Sequence, residues 1–345
     1  LGCQGLLGIH WRHRIVDPTA GFQARFSWDP ELAPDDYYRS YARTQAAGDR
    51  AGRLAALLGD ADRRRTLLST FTGDYKDGHA VTRAFAGDYS EAFTFWNQYE
   101  PEPAVVASQK QVAAALRGLA GAAASPVEKE RLEYLTGHVE FLAPYAEAWT
   151  LAHRLHGVLQ AAAEAKKAGR AEEARDQVRR EGVPLWLRLA PEVRRAMLAF
   201  QGIVATRNDL GTLASLHNKF VRLALVRLRL SLKEYLGELP RETEALLAEV
   251  TRPDPEERPR LIVPTRPTLL TAGEKVRLLV LSPGPPTLHT RPRGARWTTV
   301  PARLLGRRTY EVTLGPFPPA AELVEYYVSA HAGKLVSSTW LVTLV

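Results

Sequence analysis

Residues 125–149 read SPVEKERLEYLTGHVEFLAPYAEAW, and their reading decides the fold. Ser125, Pro126 and Glu128 make a helix-start signal: Ser as N-cap, Pro at the first helical position, Glu reaching back. Leu132, Leu135, Val139 and Leu142 then recur at helical spacing, with Tyr134, Phe141, Tyr145 and Trp149 alongside. A row of that kind buries one face of a helix against another helix.

Outward from this stretch the helical texture runs from Pro34 to about Val250. Asp35 and Asp36 sit where the positive end of a helix dipole favours them. Tyr37, Tyr38 and Tyr41 follow at spacings that put at least two on one face. Residues 161–181 are helix formers with few apolar side chains, an exposed helical hairpin with Gly169 as its break. Pro191 and Glu192 start another helix through Met197 and Phe200, and a last one runs from Leu210 to Leu236, stopping at Gly237. Within it, residues 221–232 (VRLALVRLRLSL) alternate almost as a strand would. Leu216, Phe220, Leu223 and Arg227 continue a helical row and no turn residues bound the run, so it is assigned to helix.

Residues 251–260 are rich in proline and charge, a linker composition. Beyond them, residues 261–263, 276–281, 297–302, 310–314, 325–330 and 340–345 are short β-rich runs separated by Gly/Pro turns, with 283–286 as a loop. Residues 261–345 therefore suit an all-β immunoglobulin-like or fibronectin-like sandwich. The expected class is multi-domain and mainly α: residues 1–30 a strand and its exit, 31–250 helical, 251–260 linker, 261–345 β.

At 345 residues the chain is long enough for two or three cores. No apolar run approaches a membrane span of roughly 18 residues. Cys3 is the only cysteine, which excludes an intrachain disulfide and a cysteine-rich zinc site. The net charge of +8 comes from 37 Arg and 9 Lys against 38 acids. Such a surface can attract polyanions. The charge reads as spread over solvated helix faces, with no basic cluster interleaved with aromatics, so no specific nucleic-acid partner is expected. No phosphate loop, nucleophile elbow or HExxH motif occurs, and neither cofactor nor metal is expected.

Residues 5–14, GLLGIHWRHR, pass from a short apolar run into a polar and aromatic cluster. This reads as a buried strand opening into a site. A Trp can stack on a pyranose ring and an Arg can hold a carboxylate or hydroxyl in a bidentate way. The candidate substrate contacts are His10, Trp11, Arg12, Arg14 and Asp17, the nearest acid. Asp17-Pro18, in a loop over residues 15–21, is a turn or helix-start signal. The alternative is a core Trp and a structurally paired Arg.

Further candidates are weaker. Thr206 to Asp209 and His217 to Lys219 are polar and could touch substrate, or Asn208 or Asp209 could cap the following helix. Residues 93–101 (FTFWNQYEP) offer a sugar platform or aromatic packing between helices. Residues 73–79 (GDYKDGH) lack the spacing of a calcium loop, and His153 and His156 lack partner ligands.

GLLGIHWRHR, with the aromatic segment after it, resembles the final barrel strand and exit of large bacterial glycoside hydrolases. Those with β-N-acetylhexosaminidase-like or α-glucuronidase-like (β/α)8 barrels are the most similar. The runs Leu261-Ile262-Val263-Pro264, Ala272-Gly273-Glu274 and Leu323 to Val328 resemble the accessory β-sandwiches of such enzymes. The resemblance implies a C-terminal region of a carbohydrate-active enzyme, one barrel strand plus accessory domains, with a periplasmic or secreted parent and an oligosaccharide or polysaccharide substrate. It also implies that the catalytic carboxylates lie elsewhere, since glycosidases need two flanking the bond. The competing expectation is a non-catalytic helical scaffold with an immunoglobulin-like domain that binds protein or polysaccharide.

Overall fold

The computed structural model describes residues 17–63, 103–252, 260–337 and 339–345. It divides into two compact units, Leu1–Ile203 with Gly211–Arg252, and Val204–Leu210 with Pro253–Val345. A mainly helical region is followed by a β-sheet region. The stretch 5–14 and most of the proline-rich linker lie outside the described residues.

The helices are α1 (Asp17–Phe26), α2 (Pro34–Gln45), α3 (Asp49–Arg63), α4 (Pro103–Gly121), α5 (Pro126–Lys167), α6 (Ala171–Gln177), α7 (Val183–Ile203), α8 (Arg207–Leu216), α9 (Leu228–Leu236) and α10 (Arg241–Val250). Two wider π-helical segments, Val178–Gly182 and His217–Arg227, join α6 to α7 and α8 to α9. The start signal at Asp17-Pro18 opens α1, so residues 17–21 of the expected loop are helical.

The axis of the helical unit is α5. Its 42 residues span about 63 Å at 1.5 Å per residue. It packs against both α4 and α7. Over its first half it is buried on nearly every side, by Leu135, His138, Val139, Phe141, Leu142, Tyr145, Ala146 and Trp149 among others. A helix that is apolar all round belongs in an interior. Beyond Leu155 only Leu159, Ala162 and Ala165 remain buried, a single stripe, and here α5 pairs with α6. Gly169, at φ +79°, takes the left-handed turn that closes this hairpin.

The aromatic row on α5 is core. Phe141 meets Phe200 of α7 edge-on at 5.2 Å, and Tyr145 meets Phe220 of the second π-segment at 5.0 Å. The Ile203 side chain of α7 lies directly against α5 at Gly137, where an added Cβ would lie 2.0 Å from Ile203 Cγ2.

The start signal of α5 is realised with one change. Ser125 Oγ accepts a hydrogen bond from the Glu128 amide at 3.1 Å, as a capping box requires. The Glu128 carboxylate, only 6% exposed, accepts from the amides of Ala124 at 2.8 Å and Ala47 at 3.1 Å. It also accepts from Arg50 Nε at 2.7 Å and Nη2 at 3.1 Å. One side chain thus ties the α2–α3 connection and α3 to the head of α5. The Arg50 hydrogen bond first, then the Ala124 amide, pull the Glu128 pKa down to about 2.

One helical expectation is corrected. Pro191 lies inside α7 and does not begin it. A proline can sit within a helix at the loss of one hydrogen bond when packing on both sides holds it, and Leu189, Ala190 and Val193 around it are buried. Residues 221–232 are helical as expected, and the part up to Arg227 belongs to the π-helix His217–Arg227. The buried positions Phe220, Ala224, Leu225, Leu228 and Leu232 follow its altered repeat, which explains the ambiguous pattern. Trp186 Nε1 of α7 donates to the Ala224 carbonyl at 3.1 Å, fixing the wide segment to its neighbour.

The β region contains β1 (Leu269–Leu270), β2 (Val276–Leu281), β3 (Thr287–Pro292), β4 (Thr298–Pro301), β5 (Arg303–Gly306), β6 (Thr309–Leu314), β7 (Leu323–Ala330), β8 (Leu335–Val336) and β9 (Trp340–Leu344). One sheet has the order β1-β9-β7-β3-β4, with β8 also on β7, and the other the order β2-β6-β5. All pairs are antiparallel except β1 with β9. Both sheets contribute to one core, Leu278, Val280, Val312 and Leu314 from one and Leu288, Val324, Tyr326 and Val328 from the other. Residues 261–263 supply only an isolated bridge, Ile262 to Leu281, while β3 and β5 were not anticipated.

This overturns the resemblance to glycoside hydrolase barrels. A (β/α)8 barrel is a closed ring of parallel strands covered on both faces. Both sheets described here are open. β7 alternates strictly between buried and half-buried positions, the mark of a sheet with one face on a core and the other toward solvent.

Two outcomes follow from the helical contacts. Gly137→Ala gains about 1 kcal/mol of helix propensity but drives a methyl into a β-branched side chain. Overpacking of about 1–3 kcal/mol should win, lowering the melting temperature. Combined with Ile203→Ala, the loss should be smaller than the sum of the two single losses. For Glu128 the folded pKa lies below the ordinary value of 4.5. Its stabilisation is therefore complete above that value and is lost as pH falls toward 2. Denaturant melts from pH 6 to pH 2 should show a steeper loss for the native chain than for Glu128→Gln.

Candidate functional site

Of the candidates read from sequence, His10, Trp11, Arg12 and Arg14 lie outside the described residues, as do residues 73–79 and 93–101. Asp17 opens α1. Within the polar run 206–209, Thr206 and Asp209 are structural. Buried Asp209 accepts from the amides of Ala205 at 3.0 Å and Thr206 at 2.8 Å, and its own amide donates to Thr206 Oγ1 at 3.2 Å. This is a helix cap at the head of α8. Arg260 and Arg266 donate to the carbonyls of Val204 and Ala205, each at 3.2 Å. His217, Asn218 and Lys219 are exposed. Among the described residues no group of His, Cys, Asp or Glu could hold a metal ion, and no helix is long and apolar enough to cross a membrane.

The structure assembles a different surface, on the outward face of β3 and β7. Strand alternation turns Leu288, Val324, Tyr326 and Val328 into the core, leaving the intervening residues on the other side. Register places Thr287 opposite Ser329, His289 opposite Tyr327, and Arg291 opposite Glu325. Each pair shares that outer face.

These side chains interlock. The His289 and Tyr327 rings stack in parallel, 4.3 Å apart with planes 4° from each other. Trp297, just before β4, meets the Tyr327 ring edge-on at 5.0 Å. The Arg291 guanidinium lies 4.3 Å from the centre of the Trp297 ring, within cation–π range. Its Nε donates to Glu325 Oε2 at 2.6 Å. A His289–Ser329 hydrogen bond joins Nε2 and Oγ at 2.8 Å. Each residue thus holds its neighbour, so the face is preorganised.

An open cavity of about 350 Å³ adjoins it, lined by His289, Tyr327, Ser329, Gly333, Val336 and Thr339. That volume lies at the lower end of small-molecule sites. The lining combines two rings with the hydroxyls of Ser329 and Thr339. Among the described residues no acid lines it, and Glu325 is held by Arg291. The arrangement suits binding through ring contact and hydroxyl exchange. Burial lowers the His289 pKa below its usual value, so the imidazole is neutral at pH 7 and can donate from one nitrogen and accept at the other.

No protein-family model, curated protein or solved structure matches the chain.

The one sequence signal for this surface was the tripeptide spacing of His289 and Arg291 ahead of Trp297, with Tyr327 and Ser329 far downstream. The His289 pKa offers a check on the stack. An NMR titration should place its midpoint below about 6.5, and Tyr327→Ala, by admitting water to the ring, should move it upward.

Proposed function

We propose that this chain is a non-catalytic carbohydrate-binding protein. In this reading a helical scaffold over residues 31–250 accompanies an immunoglobulin-like or fibronectin-like sandwich over residues 261–345. The outer face of the sandwich takes an oligosaccharide or polysaccharide. The observation that carries the reading is the locked ring cluster of His289, Tyr327 and Trp297 beside an open cavity lined by hydroxyls. Aromatic side chains offer an apolar body to the C–H faces of a pyranose, and neighbouring hydroxyls and a neutral imidazole exchange hydrogen bonds with its OH groups. The face needs no rearrangement to present these groups, which lowers the entropic cost of binding. Two sheets around one core, antiparallel but for the β1–β9 pair, with short strands and tight turns, favour the sandwich class.

Affinity electrophoresis of the full chain through gels containing a panel of neutral and acidic polysaccharides tests this. At least one polymer should retard the protein. Tyr327→Ala and Trp297→Ala, each checked for native melting, should weaken that binding about tenfold or more, the scale of losing a central aromatic anchor. Unretarded migration through every polymer, or retardation unchanged in both variants, would remove the reading.

A further inference from the structure

We infer that the preferred ligand of this face is an acidic polysaccharide, a polymer of sugar carboxylates, whose charge is read by Arg293 and Arg296. The inference rests on the carbohydrate reading and sharpens it.

The hairpin turn between β3 and β4 reads Arg291-Pro292-Arg293-Gly294-Ala295-Arg296-Trp297. It is an ordered turn. Gly294 takes φ +83°, a conformation that suits glycine. The Ala295 amide donates to the Pro292 carbonyl at 2.9 Å, and the Arg293 amide donates to the Leu323 carbonyl at 2.9 Å. Arg291 Nη1 reaches the Ala295 carbonyl at 3.4 Å. The turn is therefore pinned to β7 and continuous with the ring cluster through Trp297.

Its three arginines differ in what they do. Arg291 is committed to Glu325 and Trp297. Arg293 and Arg296 are exposed, and among the described residues neither has an acidic side chain within ion-pair distance. Elsewhere on the surface arginines are commonly paired, as Arg63 with Asp35, Arg117 with Glu140 and Arg303 with Glu311. Two uncompensated guanidinium groups three residues apart, adjoining the only outward Trp of the cluster, make a local positive field at one end of the ring surface. From His289 to Arg293 the strand advances about 13 Å at 3.3 Å per residue. That length exceeds one sugar ring, so a ligand lying along β3 can stack on the rings and present a carboxylate to the turn. Planar guanidinium groups match carboxylates with two parallel hydrogen bonds.

Isothermal titration calorimetry of the full chain tests the inference with polygalacturonate, alginate, the fully methyl-esterified form of polygalacturonate and single-stranded DNA. Expected is binding to at least one of the acids about tenfold tighter than to the ester, with the difference erased in Arg293→Gln/Arg296→Gln and reduced by raised salt. The double variant should bind the neutral ester like the native chain, which separates loss of charge recognition from loss of folding. Equal affinity for acid and ester, or an acid preference untouched by the double variant, overturns the inference and leaves the carbohydrate reading standing. Binding of single-stranded DNA as tight as that of the acids, with the same arginine dependence, also overturns it in favour of a general polyanion surface. If no carbohydrate binds and Tyr327→Ala changes nothing, the carbohydrate reading itself fails.

Discussion

The close approach of α5 and α7 at Gly137 is the constraint on which the helical unit depends. With no side chain there, Ile203 packs directly over the α5 backbone. That proximity brings Phe200 within ring contact of both Phe141 and His138. It also allows α4 and α7 to enclose the first half of α5 between them. Packing density in such interiors leaves little room for adjustment, so the glycine determines how near the two longest helices can come. Glu128 performs a complementary task at the end of the same helix. Three of its four hydrogen bonds join segments separated by 78 or 81 positions in the chain, and the fourth satisfies the Ala124 amide, which the helix start would otherwise leave open.

Much of the helical unit was legible because its signals are local. Ser125 and Glu128, the row from Leu132 to Leu142, the break at Gly169 and the stop at Gly237 each act through neighbours three or four positions away. The misplaced helix start had a non-local cause. Pro191 is a helix-start residue by its own chemistry, and only burial of the residues around it keeps α7 continuous. The near-alternation of residues 221–232 reflects a π-helix, a form whose repeat matches neither standard template. The Glu128 carboxylate returns to its own helix start at the Ala124 amide, and it also binds Arg50 and Ala47 from far upstream, which no local pattern announces.

The β region shows the same division. Strands with alternating apolar residues, such as β6 and β7, were visible, while β3 was not. Thr287, Leu288, His289, Thr290 and Arg291 include a single aliphatic side chain, and Thr290 takes an inward position. The residues that make β3 unlike a strand in sequence are those that make its outer face unusual in structure. Attention to contiguous clusters favoured residues 5–14. The ring surface instead draws on positions 289, 297, 327 and 329, which adjoin only through register. The expectation of no basic cluster beside aromatics also overlooked Arg291 to Trp297, since its partner rings lie on another strand.

The π-helical stretch His217–Arg227 bears on how the chain can vary in length. In a regular α-helix each residue turns the axis by about 100°. Removing one residue from the middle of α5 would rotate every later side chain out of its place in the core. A π-turn already contains more chain per turn than an α-turn needs, so a one-residue deletion there can tighten the helix while Leu228, Leu232 and Leu236 keep their buried positions. This segment is thus a length buffer, the longer of the two π-helical segments described in the helical unit. Its limit is set by the Ala224 carbonyl, which must still meet Trp186.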